Sequence, residues 1–287
     1  MSAQGLLLID KPAGVTSHDV VNAARRALGE RRVGHAGTLD PFATGLLVVL
    51  AGRATRLAQH VSGDPKVYAA TVRFGAETDT DDLLGAVVRS AAPPAQDAVG
   101  AALGGLVGVL EQTPPAYSAK RVQGRRAYDR ARAGEDVVLA PSRVRVDAFE
   151  LVGWRAAPEV ECDVRVTCGP GTYIRSLARD LGRSVGSAAH LTALRRERSG
   201  RFDVADAVSL DALSAGGAAV RPALDALPEH PVELLDAIDV RRTRGGNAVA
   251  ARVDGAWCSL VDAATGDLLA LAERQGDTWQ PRVVLHG

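Results

Sequence analysis

The chain has 287 residues, 46% hydrophobic and 24% charged, enough apolar material to bury a core in one large domain or two and too much for a disordered chain. The longest apolar stretch, residues 45–52, is far short of the roughly 20 residues that cross a bilayer. The first apolar run, residues 5–9, is cut off by Asp10-Lys11-Pro12 before an export signal could form, so a cytoplasmic protein is expected. Net charge is zero, which alone speaks against a nucleic-acid partner.

Residues 5–10 read as a buried strand, and Ser17-His18-Asp19 opens an amphipathic helix with Val20, Val21, Ala24 and Leu28 on one face and Gly29 at its end. A glycine-rich loop over residues 34–41 follows. Residues 46–51 and 67–74 read as strands, the second alternating loosely, as a strand covered on both faces would. Ala91-Ala92-Pro93-Pro94 is a connector before a short alanine-rich helix. Residues 143–154 and 160–168 form a strand pair. After Gly169-Pro170-Gly171 comes a helix with Ile174, Leu177, Ala178, Leu181 and Val185 as its apolar stripe and Arg175, Arg179 and Arg183 recurring every fourth residue on a basic face. Ser214-Ala215-Gly216-Gly217 and Leu227-Pro228 mark a boundary between residues 213 and 232. Beyond it, short β-like runs (249–253, 257–261, 268–272, 282–285) separated by glycine turns predict a small β-rich domain, a barrel.

Zero net charge hides a segregated pattern. Lys120, Arg121, Arg125, Arg126, Arg130, Arg132, Arg143 and Arg145 face three acids between residues 114 and 145, and Arg175, Arg179, Arg183, Arg195, Arg196, Arg198 and Arg201 face two between 173 and 201. The compensating acid lies in residues 203–239. Three of the four tyrosines, Tyr117, Tyr128 and Tyr173, lie in or beside the basic blocks, an interleaving suited to stacking on bases while contacting phosphate. Cys162, Cys168 and Cys258 have neither disulfide nor zinc-ligand spacing and read as buried small residues.

Phosphate-loop, serine-elbow, zincin and EF-hand patterns are absent from the sequence. The remaining constellation is the loop around Asp40. On spacing alone, Asp40-Pro41 reads first as a helix start, a capping carboxylate before a proline, and Gly34, Gly37 and Gly45 as turn residues.

Taken together, Gly34-His35-Ala36-Gly37-Thr38-Leu39-Asp40-Pro41 and Ala43-Thr44-Gly45-Leu46-Leu47 resemble the catalytic loop of the TruB family, the tRNA pseudouridine-55 synthases. Four further segments match in order: residues 5–17, with Lys11; residues 66–82, with Lys66, Tyr68 and Asp82; residues 112–128, with Tyr117, Arg125 and Arg126; and residues 171–196, with Tyr173, Arg175 and Leu194. The resemblance implies an α+β fold with a mixed, largely antiparallel central sheet flanked by helices. It implies a catalytic domain over residues 1–225, with an RNA-gripping insertion at about 112–142, and a small β-rich PUA-like domain over 230–287.

The resemblance further implies that Asp40 is the nucleophile, with Arg175 beside it and Asp82 positioning Arg175. Tyr68 would stack on the target uracil, Tyr173 and Leu194 would line the pocket, and His35 would fill the stack left by the flipped base. Lys11, Lys66, Tyr117, Arg125 and Arg126 would bind the tRNA T-arm. Pseudouridylation breaks one glycosidic bond and rejoins the base through carbon, so no cofactor or metal is expected. Aspartate suits the nucleophile, being an anion at neutral pH, with attack at C6 or C1′ left open. The family implies a monomer. Two other readings stay open: an RNA-binding or tRNA-folding factor, and a sister synthase acting on ribosomal or guide-selected RNA.

Overall fold

The computed structural model describes residues 4–61, 63–118, 121–122, 125–126, 139–217 and 219–285. The chain divides into two compact units, one of residues 1–41, 46–62 and 206–287 and the other of residues 42–45 and 63–205.

In the first unit β1 (Gly5–Lys11) leads into α1 (Ser17–Leu28). Thr16 rather than Ser17 caps this helix: its hydroxyl accepts the Asp19 N–H at 3.1 Å, while the Thr16 N–H donates to the Asp19 carboxylate at 2.9 Å, a reciprocal capping box. Gly29 ends the helix in the left-handed conformation. The helix lays Val20, Val21 and Ala24 over Leu7 and Ile9 of β1 and Leu47 and Val49 of β3 (Thr44–Ala51). The stretch expected to be loop from residue 34 instead begins as β2 (Val33–Ala36), antiparallel to β3 with His35 opposite Val49. Its glycine does not prevent pairing, because the β3 backbone supplies every ladder partner.

The second unit is built on β4 (Lys66–Phe74), whose alternation of buried and half-buried residues is stricter than the sequence suggested. A two-stranded ribbon, β5 (Ala76–Thr78) with β6 (Val87–Ser90), and a short helix, α2 (Gln96–Leu103), follow. Next come β7 (Gly108–Gln112), the small pair β8 (Arg121–Val122) and β9 (Arg125–Arg126), β10 (Ser142–Arg155), β11 (Glu161–Cys168), α3 (Ile174–Ser184) and β12 (Ala189–Ser199). The sheet order is β12-β4-β11-β10-β7, antiparallel throughout, with β13 (Phe202–Asp203) folded back on β12 and residues 44–45 of β3 parallel to β12. The expected pair β10–β11 is present. β12, the central strand of the site described below, reads in the sequence only as a charged run.

Returning to the first unit, β14 (Val208–Ser209) pairs parallel with β1, and α4 (Leu210–Ser214) adds Leu213 to the same core. The C-terminal part is a five-stranded sheet in the order β15 (Val232–Leu235), β17 (Trp257–Asp262), β18 (Leu268–Gln275), β19 (Thr278–Val284), β16 (Val249–Ala250), with α5 (Ala237–Arg244) beside it. Among the described residues β15 and β16 stand at opposite ends of that order, so the β-rich part is a half-barrel sheet where the turn spacing suggested a barrel. Its core is Leu235, Val240, Leu260, Leu269 and Trp279, the Trp279 indole N–H lying 3.3 Å from Glu233 Oε2. All three cysteines are free and buried, as expected. No described helix is long and apolar enough to cross a membrane.

Candidate active site

No helix follows Asp40-Pro41, and the helix-start reading falls: the chain runs through a short loop into β3. What holds Asp40 is main-chain bracing from residues 11–17. Ser17, freed from capping duty by Thr16, both donates its hydroxyl to the Leu39 carbonyl (3.0 Å) and accepts the Leu39 N–H (2.9 Å). On the other side of Asp40, the Pro41 carbonyl accepts the Gly14 N–H at 2.9 Å and the Lys11 ammonium at 3.3 Å. Both peptide neighbours of the half-buried Asp40 are therefore fixed by side chains or backbone of the first motif.

Lys11, assigned to RNA binding in the sequence, is instead fully buried. Its ammonium also donates to the carbonyls of Pro12 (2.9 Å) and Val15 (2.8 Å), which makes it a clamp on the loop rather than a surface contact. Replacing this buried donor removes a hydrogen bond from three carbonyls, of which Pro41 keeps the Gly14 N–H, so Lys11→Met is expected to lose roughly 2–4 kcal/mol. A lowered urea midpoint at constant m-value would show this, and an unchanged midpoint would refute the clamp.

Gly45 explains why the loop needs a glycine at its exit. Its φ is +102°, and a Cβ there would lie 2.3 Å from the Arg196 carbonyl oxygen. The backbone registers place Gly45 opposite Arg196, Arg196 opposite Tyr68, and Tyr68 opposite Val166, one row across β3, β12, β4 and β11. Leu194 sits further along β12, opposite Ala70, on the same sheet face as Tyr68. Tyr68 and Leu194 are both buried, 7% and 6% exposed. Lys66 stands half-buried at the start of β4. Desolvation first, then the charge of Arg196, lower its pKa, with Cys168 and Asp64 opposing.

The face of α3 read as basic is not a phosphate-facing stripe. Arg175 is 3% exposed, its Nη1 donating to the Thr80 carbonyl (2.8 Å) and its Nη2 to the Tyr117 carbonyl (3.0 Å), with Asp82 Oδ2 3.6 Å away. Asp82 is held in turn by the Thr80 hydroxyl (2.7 Å) and the Leu84 N–H (3.0 Å) on its other oxygen. Arg179 pairs with Asp81 at 2.8 Å and Arg183 with Glu77 at 2.7 Å. Three of the seven arginines in residues 173–201 are thus matched by acids from residues 77–82, almost a hundred positions away. Asp82 and Arg175 thus lie side by side. The pair Asp81–Arg179 escapes sequence reasoning, its only signals being a second aspartate beside Asp82 and an arginine one turn after Arg175.

Burial pushes the Asp81 carboxyl up to about 6 against the lowering charges of Arg179 and Arg175. A folded value above the unfolded value of roughly 3.9 means that the stability this group contributes is present below about pH 4 and lost as the pH rises through about 6.

The base of the insertion is laced to α3. Gln112 donates to the Tyr173 carbonyl (3.1 Å) and accepts the Tyr173 N–H (2.9 Å), and the Thr113 carbonyl takes the Ser176 hydroxyl (3.0 Å) and Arg179 Nη2 (2.9 Å). Tyr117 and Tyr173 are half-buried. Lys120 and Tyr128, and the side chains of Arg125 and Arg126, lie outside the described residues.

Residues 25–174 match the TruB family pseudouridylate synthase N-terminal domain, and residues 175–227 match the tRNA pseudouridylate synthase B C-terminal domain. Relatives called tRNA pseudouridine synthase B include one from Thermobifida fusca (strain YX), 47% identical with 99% of each chain covered. Another is from Mycolicibacterium paratuberculosis (strain ATCC BAA-968 / K-10), 44% identical with 99% of this chain and 98% of the relative covered. The crystal structure of the archaeal box H/ACA sRNP Nop10-Cbf5 complex includes a chain that superposes with a TM-score of 0.72 over 99% of this chain and 86% of that one at 22% identity, a likeness of fold. The architecture is that of a pseudouridine synthase, an isomerase acting on RNA. Within that class, the chain belongs to the TruB family.

Proposed function

We propose that this chain isomerises uridine 55 in the T-arm of tRNA to pseudouridine, with Asp40 as nucleophile, Arg175 as the cation that serves it and Tyr68 stacking on the uracil. The observation that carries the reading is the bracing of Leu39 and Pro41 on either side of Asp40. A loop in which other residues fix the backbone on both sides of a carboxylate is arranged for preorganised chemistry. The relatives' shared name supplies tRNA as the substrate.

The reaction breaks the C1′–N1 bond, forms a C1′–C5 bond and loses the C5 hydrogen as a proton while N1 gains one, so atoms balance without a co-reactant. Reaching a base inside a folded loop requires extruding it, at a cost of a few kcal/mol. His35, half-buried on β2, is assigned to the vacated stack. Free, buried thiols throughout accord with work in the reducing cytoplasm.

The test is tritium release from a [5-³H]uridine tRNA transcript, in EDTA, beside a transcript carrying cytidine at position 55. Release from the first and none from the second is expected. Equal release from both would sink the assignment of position 55.

A further inference from the structure

One helical turn beyond Arg175, Arg179 and Asp81 form a second buried ion pair, 8% and 5% exposed, that the proposed reaction does not use. Its place in the chain connects it to Arg175. The Arg175 guanidinium donates to the carbonyl of Thr80 and lies beside the carboxylate of Asp82, the two residues that flank Asp81. Asp81 itself has φ +58°, a left-handed conformation that a non-glycine residue rarely adopts and keeps only where surroundings fix it.

Three contacts fix it. The Asp81 N–H donates to the Thr78 carbonyl at 3.1 Å, its carbonyl accepts the Leu191 N–H of β12 at 3.1 Å, and its carboxylate accepts Arg179 Nη1 at 2.8 Å. Arg179 is anchored at its other nitrogens by the Thr113 carbonyl and Asp180. A buried ion pair is weak evidence of stability, because desolvation offsets much of its attraction, but it selects one arrangement strongly. The arrangement selected here is the turn on which both of these Arg175 partners stand.

We propose that Asp81 and Arg179 are positioning residues for Arg175, their ion pair fixing turn 78–82 so that Thr80 and Asp82 meet the Arg175 guanidinium in one geometry. This rests on the assignment of Arg175 to the reaction. The raised Asp81 carboxyl adds a pH signature: below about pH 6 protonation favours the fold but removes the charge that orients Arg179, so the brace loosens its hold on geometry rather than on stability. The charged groups facing Asp81 are Arg175, Arg179, Asp180 and Arg183 from α3, with Asp82 adjoining on its own turn.

The experiment compares Asp81→Asn, Arg179→Met and Arg179→Lys in the full chain, reading kcat and KM by tritium release between pH 5.5 and 8.5 and Tm by circular dichroism. Asp81→Asn and Arg179→Met are expected to lower kcat roughly 10–100-fold, the range that a small misplacement of a catalytic group produces, with KM within about twofold. Arg179→Lys should recover part of kcat, since it keeps the charge but not the fork to Thr113. The wild-type limb near pH 6 should vanish in Asp81→Asn. Folded variants with lowered Tm but wild-type kcat would overturn the proposal, leaving the pair purely structural, and Asp81→Asn decides alone if Arg179→Met does not fold. Arg175→Lys is the control: severe loss of turnover there with none in the Asp81 and Arg179 variants refutes the positioning role, whereas wild-type turnover by Arg175→Lys refutes the assignment of Arg175 on which it stands.

Discussion

Asp40→Asn is expected to end tritium release, with turnover falling by roughly 10⁴-fold or more, while RNA binding stays within a few-fold of wild type. An amide copies the shape of the carboxylate but is no nucleophile, and losses of this size follow removal of a covalent nucleophile elsewhere. The structure makes this substitution informative because the backbone on both sides of Asp40 is held by contacts from other residues. Ser17 holds Leu39 by two hydrogen bonds, and Gly14 and Lys11 hold the Pro41 carbonyl. The variant should therefore keep its fold, checked by an unchanged urea midpoint, and its affinity in a filter-binding assay. Product formed at a wild-type rate would remove Asp40 from the reaction. Loss of binding along with turnover would instead mean that the carboxylate supports the RNA site.

How much of this is legible in the sequence depends on whether the signal is local. The helices α1 and α3 follow from apolar periodicity, and the strands β1, β3 and β4 from apolar runs bounded by glycine or proline. The Asp40 loop stands out by resemblance to a family, since its spacing taken alone favours a helix start. What stays hidden is long-range pairing. Arg175, Arg179 and Arg183 look like a solvated basic face until Asp82, Asp81 and Glu77 are brought to them from the far side of the sequence. β12 has the same character: its Arg195-Arg196-Glu197-Arg198 run reads as charge, yet Arg196 is almost wholly buried between β4 and the start of β3. Ser17 reads as part of a helix start, and only the geometry shows that Thr16 does the capping and leaves Ser17 to Leu39. In the C-terminal part, β15 and α5 carry too few apolar residues at a regular period to stand out from their acidic surroundings.

Gly45→Ala is expected to lower stability by roughly 3–5 kcal/mol. Two costs add at this position. The φ of +102° is one that L residues rarely adopt, and the new methyl would sit 2.3 Å from the Arg196 carbonyl oxygen and 2.7 Å from its amide nitrogen, both main-chain atoms that cannot swing aside. Gly171→Ala separates the two, because Gly171 has φ +83° and a methyl added there would meet nothing within 4 Å, so only the conformational cost of roughly 1–2 kcal/mol remains. Denaturant melts of the two variants should differ by roughly 1–4 kcal/mol at equal m-value, the difference measuring the close approach of β3 to β12. Gly45→Ala should also depress kcat in its folded fraction, since moving Arg196 disturbs the backbone row that carries Tyr68. If the two variants lose equal stability, β3 and β12 can separate at low cost, and the glycine at the loop exit would then serve the turn alone.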